Sequence, residues 1–103
     1  MSATIIVKPE REANLILPLI QSAVNAEITR LDLALQLAEA RLQPFEQKYH
    51  ISSTEFIESW TAEDLENGDE EYIAWAGEYQ LKQRLSTKLT QLRTLSYEPA
   101  TVY

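Results

Sequence analysis

The chain has 103 residues, 45% of them apolar, with 2 Gly, 4 Pro and no Cys, which is enough for one small domain and excludes a multidomain enzyme. Its 16 acidic and 9 basic side chains give a formal charge of -7, which repels a phosphate backbone and disfavours general nucleic-acid binding. The absence of Cys removes disulfides, thiolate catalysis and Cys-based zinc sites. No apolar run approaches the roughly 20 residues of a membrane span and the first residues carry no secretion signal, so the expected compartment is the cytoplasm.

The run Ala3-Thr-Ile-Ile-Val-Lys8, closed by Pro9, is β-branched and predicts a short N-terminal extended segment over residues 1–9. It has three candidate partners: another protein's sheet edge, its own copy, or Thr101-Val-Tyr103. From Leu17 the apolar positions run Leu17, Ile20, Val24, Ile28, Leu31, Leu35, Ala38, Leu42, Phe45, Tyr49, each three or four residues after the last. This spacing predicts a helix over Pro18–Gln47, about 45 Å long, whose stripe needs a second long helix alongside it. Pro18 suits the first turn, Pro44 is expected to kink the far end, and residues 10–17 are left open. Ser52 and Glu55 have capping-box spacing and predict a second helix of roughly two turns. Asn67-Gly68 is a turn signal, and the acids Asp69, Glu70 and Glu71 suit the N-terminus of a third helix that follows it.

The third helix carries Tyr72, Trp75, Ala76 and Tyr79 on one side and Leu81, Leu85, Leu89 and Leu92 on a side turned by about half a circle. Either it breaks near Gly77, or its two halves contact different neighbours. Residues 94–103 read as an extended tail. The expected fold is therefore all-α: a single domain over 1–103, built as a long, coiled-coil-like helical hairpin with a short helix at the turn and a short N-terminal extended segment. Two helices leave apolar flanks wet, so a homodimer is expected, with Val24, Ile28, Leu31, Leu35, Leu42, Leu85, Leu89 and Leu92 as its interface.

Charge is segregated. Nine acids and no Lys or Arg lie between Glu55 and Glu78, whereas the remainder has 7 acids against 9 bases. Seven of the nine aromatic residues fall at the hairpin turn, namely Phe45, Tyr49, Phe56, Trp60, Tyr72, Trp75 and Tyr79. Glu63, Asp64, Glu66, Asp69, Glu70, Glu71, Trp75, Glu78 and Tyr79 are accordingly the candidate contact set for a small basic partner, with acids steering encounter and aromatics anchoring it. The alternative is a solvated acidic surface over a structural aromatic core.

Other chemistry finds little in the sequence. With Gly68 at the sixth position of a calcium loop, Leu65 and Ala74 occupy ligand positions, which excludes an EF-hand. His50 is the single histidine and reads as a helix C-cap, so no metal or cofactor is expected. Paired carboxylates such as Glu63 and Glu66 lack a nucleophile, an orienting group and an oxyanion site, so no catalytic residue is assigned and the chain is not expected to be an enzyme. Two isolated glycines make no phosphate loop, and Lys82, Arg84, Lys88 and Arg93, with Arg30, Arg41 and Lys48, read as the polar faces of the hairpin.

The segments Arg41-Leu-x-x-Phe45-Glu46-x-Lys48-Tyr49, Ser52-x-x-x-Phe56, Gly68-Asp-x-x-Tyr72-x-x-Trp75-x-Gly77-Glu78-Tyr79 and Arg84-Leu-x-x-Lys88-Leu span a little over half the chain. They resemble a group of small prokaryotic helical proteins often encoded beside toxin-like proteins and suspected of being antitoxin-like. The resemblance implies neutralisation of a small basic toxin-like partner by direct contact, since no DNA-binding domain is present. A self-assembling coiled-coil structural or adaptor protein is the alternative.

Overall fold

The computed structural model describes residues 3–8 and 10–99. Its elements are β1 (Thr4–Val7), α1 (Glu10–Tyr49), α2 (Ser53–Ser59), a 3-10 turn at Ala62–Asp64, α3 (Gly68–Arg93) and β2 (Ser96–Pro99). The all-α helical hairpin expected from the heptad stripe is the observed architecture: α1 and α3 pack against each other and α2 lies between them in the chain.

α1 begins eight residues earlier than Pro18. The reason is visible in the stripe, which extends back to Ala13, four residues before Leu17 and fully buried. Pro18 and Pro44 are both interior to α1 and both exposed. A proline inside a helix costs about 3 kcal/mol by removing a donor and crowding the preceding turn. Here the helix continues through both, because burial of the stripe outweighs the local penalty and the ring faces solvent.

α3 is likewise unbroken. Its inward seam runs Glu71, Trp75, Glu78, Lys82, Leu85, Leu89, Leu92, a regular alternation of four and three residues in which every member is buried or half-buried. Charged residues occupy the middle of that seam, and this is why the apolar pattern gives the impression of changing face near Gly77. A second face, Tyr72, Ala76 and Tyr79, meets the aromatic cluster beside α2. A Cβ added at Gly77 would meet nothing within 4 Å, so that glycine is not needed for close packing.

The chain divides into two compact units. One runs to Asp32 and resumes at Thr87. In it β1 and β2 pair in parallel, Thr4 opposite Ser96 through Val7 opposite Pro99, and the Ser96 N–H donates to the Ala3 carbonyl at 2.7 Å. A parallel pair cannot be closed by a tight turn, and here the helices form the crossover. β2 occupies part of the expected C-terminal tail and supplies the partner that β1 needed, while Thr101–Tyr103 lies outside the described residues. Val7, Leu31 and Leu89 are buried in this unit, and Arg93 bridges to Asp32 at 3.4 Å.

The other unit is Leu33–Ser86. Its core is Leu42, Phe56, Leu65, Trp75 and Ala76, with Phe45, Tyr49, Ile51, Ile57, Trp60, Tyr72 and Tyr79 packed around it.

Of the residues expected at a dimer interface, Leu31, Leu42, Leu85 and Leu89 are buried within the chain itself, and Val24, Ile28, Leu35 and Leu92 are half-buried. The large exposed apolar residues of α1 are a different set, Leu15, Leu19, Leu33 and Leu37, which are 75%, 70%, 58% and 50% exposed.

Candidate functional site

The residues expected to contact a partner lie in the Leu33–Ser86 unit, where the turn of the hairpin sets their positions. α1 ends with His50 in the left-handed region at φ 53°, and the Ile51 N–H returns to the Glu46 carbonyl at 3.3 Å. This is the six-to-one closure of a Schellman end, so His50 caps the helix through its backbone. α2 then starts where the Ser52 hydroxyl accepts from the Glu55 N–H at 3.2 Å. The Glu46 carboxylate reaches across the turn to accept from the Ser53 N–H at 3.0 Å and its hydroxyl at 2.8 Å.

Ser53 in turn accepts from Trp75 Nε1 at 2.8 Å, a buried hydrogen bond that ties α3 to both turn elements. The Trp75 indole is fully buried. It stacks on Phe56 at 3.8 Å between ring centroids with the planes 1° apart, and Phe45 and Tyr49 stack on it at 5.4 and 5.7 Å. Such stacks add about 0.5–1.5 kcal/mol each beyond area burial. The aromatic cluster is therefore a structural core. Trp75 cannot reach a partner while this unit is folded, and Tyr79 is half-buried against the same cluster, its hydroxyl 3.4 Å from Thr54 Oγ1.

Glu71 is also interior, 7% exposed. Its carboxylate accepts from the Tyr49 hydroxyl, from Lys48 Nζ at 2.9 Å and from the Asn67 N–H at 3.3 Å. Burial pushes this carboxyl up, but the hydrogen bonds from Tyr49, Lys48 and Asn67 and the nearby ammonium outweigh it, so it titrates below its ordinary value. Hydrogen bonds to Glu71 and then to Glu66, 3.0 Å away, hold the Lys48 ammonium well above the usual lysine range. Tyr49 completes the knot by accepting from the Glu66 N–H at 2.9 Å.

The remaining candidates lie at the surface. Asp64 caps the 3-10 turn by accepting from the Thr61 N–H at 2.8 Å, and it is exposed, as are Glu63, Glu66, Asp69 and Glu70. Glu78 is half-buried: Oε1 accepts from Arg41 Nε at 2.8 Å, whereas Oε2 is buried with no hydrogen-bond partner among the described residues. It lines a groove with Ala40, Arg41, Pro44, Phe45 and Ala74, which the sequence reading did not single out. The one signal for it was Pro44 on the same α1 face as Leu37 and Ala40. Among the described residues no three His, Asp or Glu side chains gather as metal ligands, and no helix is long and apolar enough to cross a membrane. What this arrangement offers is an electronegative surface bordering an apolar groove. The chain matches no protein-family model, no curated protein and no solved structure.

Proposed function

We propose that the chain is a non-enzymatic, antitoxin-like protein-binding module that neutralises a small basic protein by direct contact. The observation that carries this reading is the segregation of charge: nine acids without a base from Glu55 to Glu78, of which Glu55, Glu58, Glu63, Asp64, Glu66, Asp69 and Glu70 are exposed. A surface of one sign speeds encounter with a partner of the other and disfavours acidic competitors. The contact set contracts relative to the sequence expectation, because Glu71 and Trp75 act inside the unit.

The test is affinity capture of the tagged protein from its host, eluted in rising salt, with bound proteins identified and their stoichiometry measured. A single small basic protein, lost from the triple variant Glu63→Lys, Asp69→Lys and Glu70→Lys, supports the reading. Capture that ignores the charge reversal overturns it.

A second reading, a self-assembling homodimer with a structural or adaptor role, is favoured by the exposed leucines Leu15 and Leu19 on α1. Sedimentation of the pure protein decides it, since a dimer held by this face dissociates in Leu15→Arg, Leu19→Arg, and a monomer at all concentrations removes the reading.

A further inference from the structure

We infer that the groove lined by Ala40, Arg41, Pro44, Phe45, Ala74 and Glu78 seats a basic amphipathic helix of the partner protein. The inference rests on the basic-partner reading and names where contact is made. Ala40, Pro44 and Ala74 are exposed and small or rigid, a surface that an apolar side chain covers with little loss of freedom. Leu33 and Leu37, exposed on α1, precede Ala40 by seven and three residues and so continue the same face. From Leu33 to Pro44 this face is about 16 Å long, or three helical turns, which fits an occupant with apolar residues at i, i+3 or i+4, and i+7.

The charge of the occupant follows from the acceptors and acids at the groove. Pro44 has no N–H, so the Ala40 carbonyl lacks its i+4 donor, and Glu78 Oε2 is buried without a partner among the described residues. The groove's one cation, Arg41, is already engaged by Glu78 Oε1. Exposed Glu70 borders an adjoining depression that shares Phe45 and Ala74 with this one. Exposed Glu70 is the acceptor at this rim that incoming Lys and Arg side chains reach, and the Glu78 carboxylate adds its charge beneath it. A second copy fits less well, because a two-fold contact centred here sets the acid-rich segment of each copy against the other.

The probe is a synthetic helical peptide of about 15 residues, Leu on one face and Lys on the other, titrated into isotope-labelled full-length protein while amide shifts are followed. A peptide of the same composition in shuffled order and a Leu/Glu peptide serve as controls. The expected result is saturable binding of the Leu/Lys peptide alone, with shifts concentrated at 37–45 and 70–78. Affinity should fall about tenfold in Ala40→Arg and in Ala74→Lys, and about threefold in Glu78→Gln. Ala40 and Ala74 are exposed, and circular dichroism checks that each variant keeps its fold. Equal binding of the shuffled peptide, or no binding, overturns the inference. Shifts centred on 58–69 overturn the groove while leaving the basic-partner reading standing. A dimer that dissociates in Leu37→Arg, with no peptide bound, assigns the face to a second copy and overturns it as well.

Discussion

Glu71 offers the sharpest separation between a structural acid and a partner-binding one. Replacing it with Gln keeps volume and one acceptor oxygen but removes the charge. Its one oxygen can serve either Lys48, which bonds Oε2, or the Tyr49 hydroxyl and the Asn67 N–H, which share Oε1, so one side of the knot loses its acceptor and Lys48 loses the opposite charge. A charge-assisted hydrogen bond contributes about 1.5–3 kcal/mol and a neutral one about 1. Lys48 keeps Glu66 and solvent as alternatives, so the expected cost at pH 7 is about 2 kcal/mol, roughly a 10 °C drop in melting temperature for a domain of this size. The contribution of Glu71 is full above its unfolded-state pKa, about 4.3, and is lost as pH falls through its depressed folded value. That of Lys48, whose pKa is raised, is full below about pH 10.4 and is lost as pH rises through its folded value. Between about pH 5 and 10 the pair therefore contributes a plateau. The assay is urea unfolding followed by tryptophan fluorescence, since Trp60 and Trp75 both report on the Leu33–Ser86 unit. Wild type and Glu71→Gln should converge as pH drops toward 3. A deficit that is the same at pH 3 and pH 7, or no deficit at pH 7, refutes the reasoning.

Three further outcomes are expected. Gly77→Ala should stabilise by about 0.5–1 kcal/mol, because a helical glycine with open space around its Cβ position carries only an entropic cost, whereas Gly68→Ala should destabilise by about 1 kcal/mol or more at φ 56°; opposite shifts in thermal melts check both. Trp75→Phe should cost about 2–4 kcal/mol in urea unfolding, since it removes the donor to Ser53 and leaves a void beside Phe56; a loss below 1 kcal/mol would contradict the buried stack. Leu89→Ala should cost about 2–4 kcal/mol and Leu19→Ala less than 1 in a monomeric protein, as the first is 1% and the second 70% exposed; equal losses in calorimetry contradict the seam.

The helical hairpin was legible because periodicity is a property of the chain. Burying the stripe from Leu17 to Tyr49 requires a long helix and a long partner, and Ser52, Gly68 and the acids after it mark the helix starts through purely local chemistry. Charge segregation was legible for the same reason. The start of α1 at Glu10, its passage through Pro18 and Pro44, and the continuity of α3 past Gly77 were not, since local penalties of about 3 kcal/mol at a proline and about 1 at a glycine are set against burial summed over many residues. Nor could the sequence sort the acids. Glu70 and Glu71 are neighbours, yet one is exposed and the other lies beneath Tyr49 and Lys48. Likewise, Trp75 could have been a surface anchor until Ser53 and Phe56 were placed against it. Local order along the chain settles which helices form. Which side of a helix meets solvent, and so which charges remain available to a partner, depends on residues distant in sequence that only the packed structure brings together.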